Sequence, residues 1–312
     1  MEHTHDYLII GAGMAAGAAA KAIRETDAVA NIGIVGAEVQ PPYQRPPLSK
    51  ALWKGDKTLD DIDLGTATTG AQLHLGRRIE SLDRVAHVAR DDRGDSYRYR
   101  RLLLATGATP RRLPFEGGER VIHFRTVDDY QALRRFAVAG AHVAVIGGGF
   151  IGCELAASLC SIGCKVTLLF PGETIGAGRY PDRLARYLDE YYRNHGVDVR
   201  SGVRVVDGSA ADGGVNLVLS DGTVMLVEAA VAGLGVTPNT ALAEQAGLAV
   251  DNGIVVDAYL RSSDADIWAA GDVANFHSAA LDRRLRVEHE DAALGMGRLA
   301  GRAMAGAEEA YT

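Results

Sequence analysis

One turn is written twice in this chain. Asp6-Tyr-Leu-Ile-Ile runs into Gly11-Ala-Gly13-Met-Ala-Ala16, and His142-Val-Ala-Val-Ile runs into Gly147-Gly-Gly149-Phe-Ile-Gly152. Each has an apolar strand ahead of it and a helix rich in small and apolar residues behind it. A glycine bend in that setting lets backbone approach a pyrophosphate, with the N-terminus of the helix facing the anion. Gly11 and Gly147 permit the bend, Gly13 and Gly149 the close approach, and Ala16 and Gly152 keep helix and strand together. A chain with one such fold spends its first strand on it. A second turn near the middle of 312 residues therefore implies two dinucleotide cradles, and the length agrees with two domains.

The composition narrows the partners. Hydrophobic residues at 47% and charged residues at 23% describe a soluble globular protein, and no apolar run approaches the length of a membrane helix. The opening MEHTHD has neither the basic nor the apolar segment of a signal peptide, so the chain reads as cytoplasmic. A net charge of -7 without a basic tract argues against nucleic acid as the main partner. The three cysteines, Cys153, Cys160 and Cys164, fit a reducing compartment, and none forms a Cys-x-x-Cys or Cys-x4-Cys pair after the first glycine turn. They read as packing residues rather than a redox dithiol. No metal site is expected.

The first unit reads strand (Asp6 to Ile10), turn, helix (Ala15 to Glu25) and strand (Ile32 to Val35). The proline-dense QPPYQRPPLSK that follows is expected to be a shaped loop, neither helix nor central strand. Alternation predicts a hairpin over Val85 to Arg90 and Tyr97 to Leu104. The second unit repeats the pattern: the glycine turn, a strand Lys165 to Phe170 and a helix Pro181 to His195. Short strands follow at Val203 to Val206, Val215 to Leu219 and Val224 to Val227. Strands at Ile254 to Val256 and Asp266 to Ala270, then a helix over Glu290 to Met304, have no glycine turn of their own. They are expected to complete the first domain. The fold class is α/β, with two Rossmann-like domains of three-layer β/β/α architecture and the second inserted in the first. Residues 1–120 and 243–312 are read as one domain and 121–242 as the other.

PPYQRPPLSK, ATGATPR, GGGFIGCELA, GLGVTPN, AAGDVA and RRLRVEHEDAALGMGRLAG follow one another in this order. In this the chain resembles the two-dinucleotide-domain flavoprotein reductases of the pyridine nucleotide-disulfide oxidoreductase superfamily. More narrowly, it is similar to the branch of ferredoxin reductases and apoptosis-inducing factor. The resemblance implies FAD in the first domain and NADH (NADPH possible) in the second, with hydride transfer from nicotinamide to flavin. It implies Lys50 and Glu154 as catalytic residues, Lys50 near the flavin N5 and Glu154 facing the nicotinamide carboxamide, and we expect the two to form an ion pair although they lie in different domains. For FAD it implies Gly11, Gly13, Ala16, Glu38, Arg45, Ile79, Ala105, Thr106, Gly107, Gly271, Asp272, Glu288 and His289. His289 would lie against the flavin edge. For the nicotinamide nucleotide it implies Gly147, Gly149, Phe150, Ile151, Gly152, Glu173 and Gly235.

As residues alone, Glu38 also reads as a solvated turn glutamate and Asp272 as a helix N-cap. Two departures from the pattern stand out. Ala37 takes the place of the leading acid after the second strand, which leaves the ribose to Glu38. In the second domain the acid is delayed to Glu173, with Arg179 close enough in sequence to meet a 2'-phosphate. The implied function is an FAD-dependent NADH reductase that passes electrons to a ferredoxin-type [2Fe-2S] protein. An apoptosis-inducing-factor-like signalling protein and an NADH oxidase or quinone reductase are the alternatives. A homodimer is also compatible. The family's third, C-terminal domain has no counterpart before Thr312, so the chain reads as a fragment or a short form.

Overall fold

The computed structural model describes residues 1–311. The chain forms two compact units: Met1–Gln44, Ile62–Thr109 and Pro238–Thr312 in the first, Arg45–Asp61 and Pro110–Thr237 in the second. The crossings thus fall at 109/110 and 237/238, where 120/121 and 242/243 were expected. The segment Arg45–Asp61 belongs by its contacts to the second unit, which the order of the sequence did not suggest.

In the first unit, Glu2–Ile10 is the centre of a parallel sheet, flanked by Ile32–Gly36 on one side and Ser96–Leu104 on the other. Gln72–Leu75 extends it beyond Ile32–Gly36. Ser96–Leu104 is long enough to hold two partners on its far side. Its first residues pair antiparallel with Val88–Asp91, and its last three pair parallel with Ile267–Ala269, the returning chain. The hairpin was expected to begin at Val85. Val85 and Ala86 instead form the turn after the strand Ile79–Asp83, their N–H groups donating to the Asp83 carboxylate, so the hairpin is a three-stranded meander. A short side chain that caps its own turn has displaced the alternation.

The helix Met14–Thr26 packs on this sheet, and the C-terminal helix Glu290–Met304 packs on the helix. Small residues set their separation. A Cβ added to Gly297 would stand 2.3 Å from the Ala15 carbonyl oxygen, and one added to Gly301 would stand 2.5 Å from that of Ala19. Ridges of glycine and alanine therefore bring the two backbones together, and a larger residue at either position forces them apart.

The second unit has three layers. Its parallel sheet runs Val197–Ser201, Lys165–Phe170, His142–Ile146, Ala229–Ala232, Val121–His123. The helix Phe150–Ser161 packs on the sheet, and an antiparallel sheet of Val205–Ala211, Gly214–Leu219 and Val224–Val227 joins it in one core. Ala144, Ile146, Leu169, Ala230 and Ala232 meet Val215, Leu217 and Leu219 there. The strand expected at Val203 starts at Val205, and Ala229–Ala232 and Val197–Ser201 are strands that the sequence pattern does not announce. The first of these is four residues of mostly alanine, and the second alternates buried and exposed positions too briefly to stand out.

Candidate dinucleotide sites and a lysine–carboxylate pair

Gly11 has a φ of 112°, and a Cβ on it would lie 2.0 Å from the Ala105 carbonyl oxygen. No other residue fits there. The turn is stitched to both neighbouring strands, with Gly11 N–H donating to Val35 at 2.8 Å and Ala105 N–H to Ile10 at 2.8 Å. Gly13 is different. It is the N-cap of the first helix, its φ of -93° is ordinary, and a Cβ on it would meet nothing within 4 Å. No side chain caps that helix, and its first turn carries no acid. The chain itself does not need a glycine at position 13, and a close-approaching anion does. Ala16 is fully buried against the sheet.

Around this turn, Glu38 is half-buried and accepts a hydrogen bond from the Tyr43 hydroxyl at 2.6 Å. Ile79 is half-buried at the start of its strand. Thr106 and Gly107 are held by Asn239, which the sequence reading did not single out. The Asn239 amide donates to the Thr106 carbonyl at 2.8 Å, its backbone N–H donates to Gly107 at 2.9 Å, and the Thr106 hydroxyl donates to the Asn239 carbonyl at 2.9 Å. Gly271 takes a φ of 78° next to Ala15 in the first turn of the helix. Asp272 sits in a short turn Gly271–Val273 and does not cap the last helix. That cap is His289, whose Nδ1 accepts the Asp291 N–H at 3.2 Å. Glu288 pairs with Arg286 at 2.7 Å.

The second turn repeats the geometry. Gly147 has a φ of 120°, and its Cβ would lie 2.3 Å from the Gly233 carbonyl oxygen, as Gly11 lies against Ala105. Gly152 stands against the Gly147 carbonyl, where a Cβ would be 1.8 Å away. Gly149 is again an N-cap without a capping side chain. Here one cation is close: Arg179 Nη1 is 3.1 Å from the Cβ position of Gly149, and its guanidinium stacks over the Phe150 ring at 5.5 Å. Phe150 and Ile151 are exposed, as is Glu173. Gly235 has a φ of 84° and open space at its Cβ. The residues of both turns fit a bound pyrophosphate.

The proline stretch is irregular over most of its length, as expected, and departs from a loop over Pro46–Ser49. Pro46–Ser49 forms a 3-10 turn with proline at its first positions, where no N–H is required, and Ala51–Lys54 continues as one turn of α-helix. Trp53 anchors it, donating from Nε1 to Leu48 at 2.7 Å, with the Tyr130 ring edge-on to its own and the Arg134 guanidinium over it. Arg45 donates to the Arg125 carbonyl at 3.0 Å. Lys50 and Glu154 do form an ion pair, Nζ to Oε1, at 3.0 Å. They belong to one unit rather than two, because the helical turn carrying Lys50 packs beside the helix carrying Glu154.

Cys153 follows the second turn, and burial pushes its thiol up to about 11, with Glu154 adding to the shift. Burial likewise raises Cys164. Cys160 and Cys164 turn their sulfurs to different carbonyls, those of His195 and Val138. Thiols facing apart do not make a dithiol centre.

Two glycine cradles with bare helix starts, each on a parallel sheet, and a lysine–carboxylate pair beside the second define a two-dinucleotide oxidoreductase. Residues 5–297 match the pyridine nucleotide-disulphide oxidoreductase family, and the chain belongs to it. It is 38% identical to the ferredoxin--NAD(+) reductase component of the anthranilate 1,2-dioxygenase system of Burkholderia cepacia, over 98% of this chain and 77% of that protein. It is 32% identical to mitochondrial apoptosis-inducing factor 1 of Dictyostelium discoideum, over 95% of this chain and 61% of that protein. Among solved structures it is similar to the covalent putidaredoxin reductase–putidaredoxin complex, with a TM-score of 0.92 and 33% identity, covering 97% of this chain and 75% of that one. The chain is an NAD(P)H-dependent flavoprotein reductase whose cofactors are FAD and NADH. Among the described residues, no helix is long and apolar enough to cross a membrane.

Proposed function

We propose that this protein takes hydride from NADH onto FAD and passes electrons singly to a ferredoxin-type [2Fe-2S] protein in the cytoplasm. The Lys50–Glu154 pair at 3.0 Å, set beside the second of two cradles, is the observation that carries this reading. When bound, the two cofactors supply the chemistry, a direct hydride transfer to flavin followed by one-electron steps. No side chain has to act as nucleophile or general base. The first unit would hold FAD through the Gly11 turn, Glu38 at the adenosine ribose, Thr106–Gly107 and Asp272. The second unit would hold the nicotinamide nucleotide, and its Lys50 would supply a fixed cation favouring the charge a reduced flavin gains. Glu154 keeps that lysine in place and would meet the carboxamide.

Preference for NADH is supported by the two charged groups of the second cradle. Arg179 is drawn in to the glycine turn and the Phe150 ring, so its charge serves the pyrophosphate. Exposed Glu173, beyond the strand end, is left for the ribose, where a carboxylate accepts from a 2'-hydroxyl and repels a 2'-phosphate. The acceptor follows from the relatives, several of which are named as ferredoxin reductases.

Purified protein is expected to be yellow, to be reduced faster by NADH than by NADPH in stopped flow, and to turn over with a [2Fe-2S] ferredoxin well above its rate with oxygen. Failure to take up FAD overturns the reading as a whole. Turnover by oxygen alone, undiminished when ferredoxin is left out, selects an NADH oxidase instead.

A further inference from the structure

Ser49 precedes Lys50 in the helical turn and is 1% exposed. Its hydroxyl lies 2.6 Å from Glu154 Oε2 and 3.3 Å from the Pro46 carbonyl. A hydroxyl has one proton to give, and the shorter contact to a charged acceptor takes it. Both oxygens of Glu154 are then committed, Oε1 to Lys50 at 3.0 Å and Oε2 to Ser49 at 2.6 Å. The arrangement is held from the other side as well. Ser158, one helical turn after Glu154 and itself buried, donates to the Ser49 carbonyl at 2.8 Å. The helix therefore grips residue 49 by its backbone while residue 49 grips the helix's carboxylate.

This matters because the pair it supports is otherwise loose. The Lys50 side chain is 49% exposed and that of Glu154 26% exposed. An ion pair so exposed gains little from Coulomb attraction alone, and its two long side chains retain freedom to part. A buried neutral donor adds a short charge-assisted bond at fixed geometry, holding Glu154 in one rotamer.

We infer that Ser49 is a positioning residue for hydride transfer, acting through Glu154 to fix the ammonium of Lys50. This rests on the role proposed above for the Lys50–Glu154 pair. Loss of the hydroxyl frees the carboxylate to turn to solvent, and Lys50 moves with it.

The test is a double-mutant cycle on the FAD-loaded protein: wild type, Ser49→Ala, Glu154→Gln, and both together. Anaerobic stopped flow against NADH concentration gives the limiting rate of flavin reduction and the NADH dissociation constant. Ser49→Ala is expected to lower the limiting rate roughly tenfold, the scale of a lost hydrogen bond to a charged group, with full FAD occupancy. The NADH dissociation constant should change less than twofold. In the Glu154→Gln background the same change should cost nothing further. Ser49→Ala without effect, while Glu154→Gln slows reduction, overturns the inference about Ser49 and leaves the ion-pair reading intact. Glu154→Gln without effect overturns that reading itself. Additive losses with a lowered melting temperature assign Ser49 to packing alone and also overturn the inference.

Discussion

Gly11 and Gly13 stand two residues apart in one turn and answer to different constraints, which substitution can separate. At Gly11 an alanine methyl would collide with the Ala105 carbonyl at a φ of 112°. We expect Gly11→Ala to lose about 3 kcal/mol or more of stability, the range of a severe backbone conflict, and its FAD with it. At Gly13 a methyl would point into open space from an ordinary backbone conformation. Gly13→Ala should keep the melting temperature of the FAD-free protein within a degree or two, yet weaken FAD binding at least tenfold. Thermal melts of FAD-free protein and flavin titrations check both. A Gly13→Ala protein that binds FAD normally would remove the pyrophosphate from this turn. The pattern gives the bend to one glycine and the close approach to the other, and the φ of 112° with the Ala105 contact marks the one that the chain itself enforces.

At the scale of elements, the parts legible in the sequence are those coded by neighbours in the chain. Both glycine turns, their strands and helices, and the last helix over Glu290–Met304 stand where local pattern put them. What was not legible depends on contacts far along the chain. The 3-10 turn Pro46–Ser49 within the proline stretch runs into a helical turn that Trp53 anchors against Tyr130 and Arg134. Ser49 and Asn239 gained their roles from partners 105 and 133 residues away. Trp53→Ala should therefore act beyond its own turn. By removing the anchor of the segment that carries Lys50, it is expected to cost ~3–5 kcal/mol, as for other buried aromatic truncations, and to slow flavin reduction by NADH. Chemical denaturation and single-turnover kinetics measure the two effects. Full-rate reduction in a destabilised variant would mean that Lys50 is placed by something other than this packing.

At the scale of the whole molecule, the far end of the first unit carries a pH dependence unconnected with redox chemistry. His3, His5, His74 and Tyr97 form one ring cluster, with His74 4.5 Å from His3 and 5.6 Å from His5. Burial depresses His74 from 6.5 to about 4, helped by the neighbouring histidines, and burial also lowers His5. Between pH 6.5 and about 4 the unfolded chain binds protons that the folded one refuses. Stability is thus complete above that window and falls as the pH falls through it. Melting temperature should drop on going from pH 7 to pH 5, and His74→Phe should flatten that slope; an unchanged slope would assign the acid sensitivity elsewhere.

The glycine–alanine contact between the first and last helices has a consequence for synthesis. Residues 14–26 leave the ribosome long before the surface they pack against, residues 290–304. The second unit needs nothing beyond residue 237 and has its whole core in hand while the first still waits. The part begun first is therefore completed after the second unit, and in the interval its alanine-rich helix has no cover on the side that Gly297 and Gly301 will close.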